Sequence, residues 1–146
     1  MKDLTDHLKR VKIKIIGFDY ADEKECLKAV VKNCFAIQCI HNPSEKVKLK
    51  AVRRDGRAIR FIHSPSERVQ LEAIKENGSS IYYIENPSKE IQLAAVKQKN
   101  GENIRFLLRP SEEITIEAVK NCKEAVQYVD VESLSEEAKE LLIYLV

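Results

Sequence analysis

Glycine and proline are scarce, four of each in 146 residues. That excludes collagen-like, linker-rich and hairpin-rich all-β chains. No apolar run reaches the ~18–20 residues of a membrane span, and the opening Met1-Lys2-Asp3-Leu4 is no signal peptide. Neither sign of charge dominates: 25 Lys and Arg stand against 23 Asp and Glu, a net +2. With 44% hydrophobic residues as well, disorder is excluded. Cys26, Cys34, Cys39 and Cys122 form no paired C-x-x-C units, so neither a disulfide framework nor a zinc ribbon is indicated. The expectation is a soluble, cytoplasmic chain making no use of a membrane, of a length that suits one ordinary domain.

What the sequence does have is an internal period. Pro-Ser recurs at Pro43-Ser44, Pro65-Ser66, Pro87-Ser88 and Pro110-Ser111, at spacings of 22, 22 and 23 residues. Each pair opens the same pattern, P-S-E/K-x-V/I-x-L/I-x-A-V/I-K/R, then Asp/Asn-Gly, then x-x-I/V-x-aromatic-I/L/V. An alanine column runs Ala29, Ala51, Ala73, Ala95, Ala118. A glycine column holds Gly56, Gly78 and Gly101, with Cys34 and Lys123 in the outer units. The aromatic column is Phe61, Tyr83, Phe106 and Tyr128, with Cys39 in the first unit.

Each unit reads as two short helices. Ser44, Ser66, Ser88 and Ser111, with Asp22 in the first unit, are expected N-caps, and Glu23, Glu45, Glu67 and Glu112 follow where the helix dipole favours an anion. The first helix is expected to run about ten residues, to Asn33, Asp55, Asn77 or Asn100, where Asn/Asp-Gly supplies a left-handed stop. A second helix follows, with Ala58, Ile59, Phe61 and Ile62 on one face and Arg60 outward. A strand there would send Ile62 to the opposite face, so the helix is preferred to a leucine-rich-repeat horseshoe. Proline then drives Asn42, Ser64, Asn86 and Arg109 out of the helical region.

The predicted fold is therefore all-α: a single α-solenoid over 1–146 of about five 22–23-residue helix–turn–helix repeats with degenerate helical caps. Residues 1–20 form the N-terminal cap helix, with Leu4, Leu8, Val11 and Ile15 on one face; 21–130 hold the repeats; 131–146 form the C-terminal cap helix. In that last helix Leu134, Ala138, Leu141, Leu142 and Leu145 account for one buried face and leave Ile143 uncovered. Terminal caps of such arrays need a polar outer face, so either a homodimer through the Ile143 and Leu145 region or a truncated chain is expected.

The stretches Ala51–Ile62, Ala73–Ile84 and Ala95–Leu107 resemble an uncharacterised family of tandem short helical repeats in bacterial and phage proteins, with a consensus close to A-V-K-x-N-G-x-A-I-x-Y-I. More broadly the pattern looks like HEAT and leucine-rich-repeat-variant solenoids. The resemblance implies a binding scaffold and brings no catalytic residues. It further implies a phage or bacterial inhibitor or adaptor acting on a host protein, in the host cytoplasm if phage-encoded.

Chemistry is little signalled. There is no nucleophile elbow, phosphate loop, H-E-x-x-H or Ca²⁺ loop, and no enzyme is expected. His41 and His63 share a column with Cys39 nearby. Helices ~8–10 Å apart, however, hardly bring such a pair to the ~2.0–2.3 Å that zinc demands, and no cofactor is expected.

Charge says more. Residues 1–63 hold 15 Lys and Arg against 8 Asp and Glu, or +7; residues 64–146 hold 10 against 15, or −5. Lys48, Lys50, Arg53, Arg54, Arg57 and Arg60 concentrate the positive part and are the first candidate binding residues. They suit a protein partner with an acidic surface or, alternatively, nucleic acid. The outward column of the second helices, Gln38, Arg60, Tyr82, Arg105 and Gln127, adds Tyr82 and Arg105, residue types enriched at binding hot spots. Arg53, Lys75, Lys97 and Lys120 fall in the last helical turn, where cations complement the dipole.

Overall fold

The structure is a computed structural model that describes residues 22–98 and 101–146. The expected N-terminal cap helix, residues 1–20, lies outside the described residues. Every regular element among the described residues is helical. Five α-helices, α1 (Glu23–Lys32), α2 (Glu45–Val52), α3 (Glu67–Glu76), α4 (Lys89–Val96) and α5 (Glu112–Asn121), alternate with five 3₁₀ helices. These are η1 (Cys34–Cys39), η2 (Gly56–Phe61), η3 (Gly78–Tyr83), η4 (Gly101–Phe106) and η5 (Lys123–Tyr128). A short η6 (Val131–Ser133) and α6 (Glu136–Leu145) follow. Each α-helix packs on the next one, and η1 to η5 pack on one another in the same order.

Burial follows the sequence columns. Ala51, Ala73, Ala95 and Ala118 are wholly buried, and their small side chains let neighbouring helices approach closely. Val30, Val52, Ile74, Val96 and Val119 form a second buried row, and Ile37, Ile59, Ile81 and Ile104 a third, from the 3₁₀ layer. In each 3₁₀ helix the outward residue alternates with these, so Arg60 is exposed between Ile59 and Phe61.

The helix starts are built as expected in three units. The Ser44, Ser66 and Ser88 hydroxyls accept from the backbone N–H of Val47, Val69 and Ile91. Ser135 does the same for Ala138. Ser111 and Asp22 occupy the N-cap position without a side-chain bond. The same hydroxyls also donate backward to the preceding unit: Ser44 to Glu23, Ser66 to Glu45 and Ser88 to Glu67. Glu112 accepts from both the N–H and the hydroxyl of Ser135. The series breaks at Ser111 because the residue one unit back is Lys89, which pairs instead with Glu113.

Two expectations about the turns are corrected. Asn100 lies outside the described residues; Asn33, Asp55 and Asn77 are not left-handed stops but extended, with φ of −146°, −155° and −151°. Their side chains cap the next 3₁₀ helix, accepting from the N–H of Phe35, Arg57 and Ser79. The left-handed residues are those before proline, Asn42, Ser64, Asn86 and Arg109, with φ of 46–54°. Proline removes the right-handed helical option for them, and the chain reverses there. Nor do all first helices reach ten residues: α2 and α4 stop after eight, at Val52 and Val96.

The glycine column then needs another reason, and the packing supplies it. A Cβ at position 56 would lie 2.3 Å from the Ala73 carbonyl oxygen and 2.7 Å from Ser80 Oγ. At position 101 it would lie 2.2 Å from the Ala118 carbonyl oxygen, and at 78 it would lie 2.3 Å from Asn103 Nδ2. The glycines are there because the following unit approaches too closely for a side chain.

Candidate functional site

The expected basic cluster does not form one patch. Arg57 Nη2 is 2.8 Å from Asp55 Oδ2, and Arg53 Nε is 2.7 Å from Glu72 Oε2. Those pairs hold both carboxyls below the usual range, through hydrogen bonds from Arg57 to Asp55 and from Arg53, then Lys75, to Glu72. Lys97 likewise reaches Glu117 of the next unit at 3.7 Å, so Arg53 and Lys97 tie units together rather than only completing a helix end, whereas Lys75 pairs with Glu72 on its own helix. Lys48 is half-buried on α2, and Arg54 is exposed just past its end. Lys50 and Arg53 line a groove formed by α1, α2 and α3, away from Arg60, which belongs to the 3₁₀ layer. The cations that are neighbours in sequence are thus distributed over two surfaces.

On the 3₁₀ layer the structure brings together what the outward column suggested, with partners the sequence did not reveal. The Arg60 guanidinium lies over two rings, 4.4 Å from the Phe61 centroid and 5.5 Å from that of Phe35. Those two rings meet edge to face at 6.0 Å. Two units on, Arg105 repeats the arrangement over Phe106 at 4.7 Å and Tyr128 at 5.9 Å. Between them Tyr82 packs edge to face on Tyr83 and Phe106, with centroids 5.2 and 5.6 Å away, and is still 66% exposed. The result is a ridge of arginines and rings along η1 to η5. Beside it Arg60, Phe61, His63, Gln70, Tyr83 and Glu85 help to line a cleft of about 520 Å³.

The chemistry of this ridge follows from its geometry. A guanidinium resting on a ring gains ~0.5–1 kcal/mol at an exposed site and loses conformational freedom. The N–H groups of a guanidinium stacked on a ring are suited to bidentate contact with a carboxylate. Among the described residues Arg60 makes no ion pair, and the nearest carboxylate to Arg105, Glu102, is 3.9 Å away. The exposed Tyr82 between them offers a rigid amphipathic surface. Sequence reading missed Phe35, whose signal was compensation: the first unit has Cys39 where others have a ring, and Phe35 supplies one from the start of η1.

Among the described residues no three His, Cys, Asp or Glu side chains converge as metal ligands would, and no helix is long and apolar enough to cross a membrane. Cys26 is buried, and burial pushes its thiol pKa up. The C-terminal helix also differs from expectation. Leu134, Ala138 and Leu142 are buried and Leu145 packs on the same core, but Leu141 is exposed together with Ile143, Tyr144 and Val146. Leu145 therefore does not belong to the uncovered face. Compared with family models, curated proteins and solved structures, the chain matches none.

Proposed function

We propose that the chain is a non-enzymatic interaction module, an α-solenoid of five helix pairs that binds a protein partner with an acidic surface. In this reading the alternation of α and 3₁₀ helices stacks unit on unit, and the 3₁₀ layer is the recognition face. The observation that supports it is the ridge: Arg60 and Arg105 held on aromatic rings on either side of an exposed Tyr82. Tyr and Arg in such a setting are what binding hot spots use. The likeness to tandem helical repeats of bacteria and phage makes a host regulatory or defence protein the proposed target, with the chain as adaptor or inhibitor.

Nucleic acid is the competing ligand, since stacked rings with interleaved arginines also suit single strands. The two separate by salt and by site. A lysate pull-down with wild-type, Tyr82→Ala and Arg60→Ala/Arg105→Ala baits should retain a protein on the first alone. That protein's affinity should change only modestly between ~50 and ~200 mM salt, whereas a nucleic acid bound through several phosphates loses ~10³–10⁵ over that range. Capture indifferent to all three side chains, or tight oligonucleotide binding with a steep salt slope, would refute the proposal.

A further inference from the structure

Two features on the α-helical side belong to neither the ridge nor the cleft. The first is a groove of about 650 Å³ between α1, α2 and the start of α3. Its floor is apolar, from Leu27, Val31 and Leu49, and Val31 is 42% exposed. Its rim carries Lys50 and Arg68, neither in an ion pair among the described residues, beside Arg53, paired with Glu72, Lys46, paired with Glu23, and Glu45, which accepts from Ser66, so cations outnumber the one carboxylate. The groove has the shape and charge to accept an apolar side chain flanked by carboxylates.

The second feature is the outer face of α6. Glu137, Glu140, Leu141 and Tyr144 stand at i, i+3, i+4 and i+7, which places them in one stripe, with Ile143 beside it. All are exposed, Ile143 by 75% and Tyr144 by 87%. Glu137 and Glu140 make no ion pair among the described residues, because Lys139, the cation of this helix, is taken by Glu136. The stripe is acidic in its first turn and apolar in its second. It is the chemical complement of the groove.

We propose that the chain associates head to tail, the α6 stripe of one copy seated in the α1–α3 groove of the next. Ile143 and Tyr144 meet Val31 and Leu27 on the floor, while Glu137 and Glu140 meet Lys50 and Arg68 on the rim. The contact cannot close within one chain: α6 packs on α5, and α4 and α5 separate it from the groove. A symmetric α6–α6 contact would also bury the apolar residues, but it offers Glu137 and Glu140 no cation. Because groove and stripe are different surfaces, the contact is heterologous, and each added copy leaves one of each free.

A mixing experiment separates this from a symmetric dimer. In sedimentation velocity at rising micromolar concentration, the full wild-type chain should grow beyond two chain masses. Val31→Glu blocks the groove and Ile143→Glu blocks the stripe; both positions are exposed, and circular dichroism checks that each variant keeps its helices. Each alone should remain monomeric, yet an equimolar mixture should form dimers and stop there, since one good groove meets one good stripe. As a second check, Lys50→Glu and Glu140→Lys should each weaken association at least tenfold, and both in one chain should restore it. A monomeric wild type overturns the proposal. So does self-association of Val31→Glu, which would mark a symmetric α6 contact, or a mixture that stays monomeric. None of these outcomes depends on the Tyr82 ridge.

Discussion

Replacing Gly56 discriminates between two reasons for a glycine. If it ended a helix in a left-handed turn, asparagine would serve nearly as well. In the structure its importance is proximity: an added Cβ would lie 2.3 Å from the Ala73 carbonyl oxygen, where carbon and oxygen normally rest at ~3.3 Å or more. About 1 Å must be found. The obstruction is backbone, and that carbonyl already accepts from the Asn77 N–H at 2.9 Å in the last turn of α3. Moving α3 would open the contacts of Val69, Ala73 and Ile74, all fully buried. Overpacking of this kind costs ~1–3 kcal/mol, and the loss of glycine's freedom in the unfolded chain returns ~0.4–1 kcal/mol. The expected net loss for Gly56→Ala is about 1–2 kcal/mol, read as a lower urea midpoint and a Tm decrease of roughly 2–8 °C. Gly56→Asn should be worse, since its larger side chain enters the same space. At Gly78 the obstacles are side chains, first Asn103, held by the Ala95 carbonyl at 2.8 Å, and then Gln98, whose Cβ would lie 2.9 Å away. There Asn103→Ala should recover part of the loss of Gly78→Ala, whereas no single partner change should rescue Gly56→Ala. A Gly56→Asn chain as stable as wild type would refute the close-approach argument.

Three further outcomes follow from the helix ends and the charge pairs. Ser66→Ala removes a cap bond to Val69 and a donor to Glu45 and should cost ~0.5–2 kcal/mol, while Ser111→Ala, which loses neither, should be nearly neutral; equal losses in urea melts would contradict the hydroxyl series. Arg109 has φ of 54°, where Asn42 and Asn86 stand in other units, so Arg109→Asn should stabilise by about 0.5–1 kcal/mol and Arg109→Ala should not; thermal melts of both decide it. Asp55 and Glu72 have depressed pKa values, so between folded and unfolded values the folded state binds fewer protons and stability rises with pH. Their contribution is complete above the ordinary carboxyl range and is lost as pH falls through the folded values; Glu72→Gln and Asp55→Asn should each shrink the difference in urea midpoint between pH 7 and ~3.5, and an unchanged difference would refute the coupling.

The period of the sequence carried most of the local structure. Pro-Ser set the helix starts, the Ala and Val/Ile columns set the buried rows, and the residue count of the second element made it helical with Arg60 outward. These are short-range matters, decided by caps, by the constraint proline places on its predecessor and by side-chain spacing. What depends on the neighbouring unit was not legible. The glycine column looks the same in sequence whether it serves a left-handed turn or a close approach, and only the position of the Ala73 and Ala118 carbonyls distinguishes them. The second helices are 3₁₀ rather than α, a choice made over six residues between an Asx cap and an extended exit. Arg53, Arg54, Arg57 and Arg60 are near neighbours in the chain, yet Glu72 and Asp55 claim two of them and Phe35 and Phe61 a third. Sequence order determines which side chains are available; Asp55 and Phe61 are local partners, but that Arg53 meets Glu72 and Arg60 also meets Phe35 is decided by packing between units, where the partner comes from about twenty residues away.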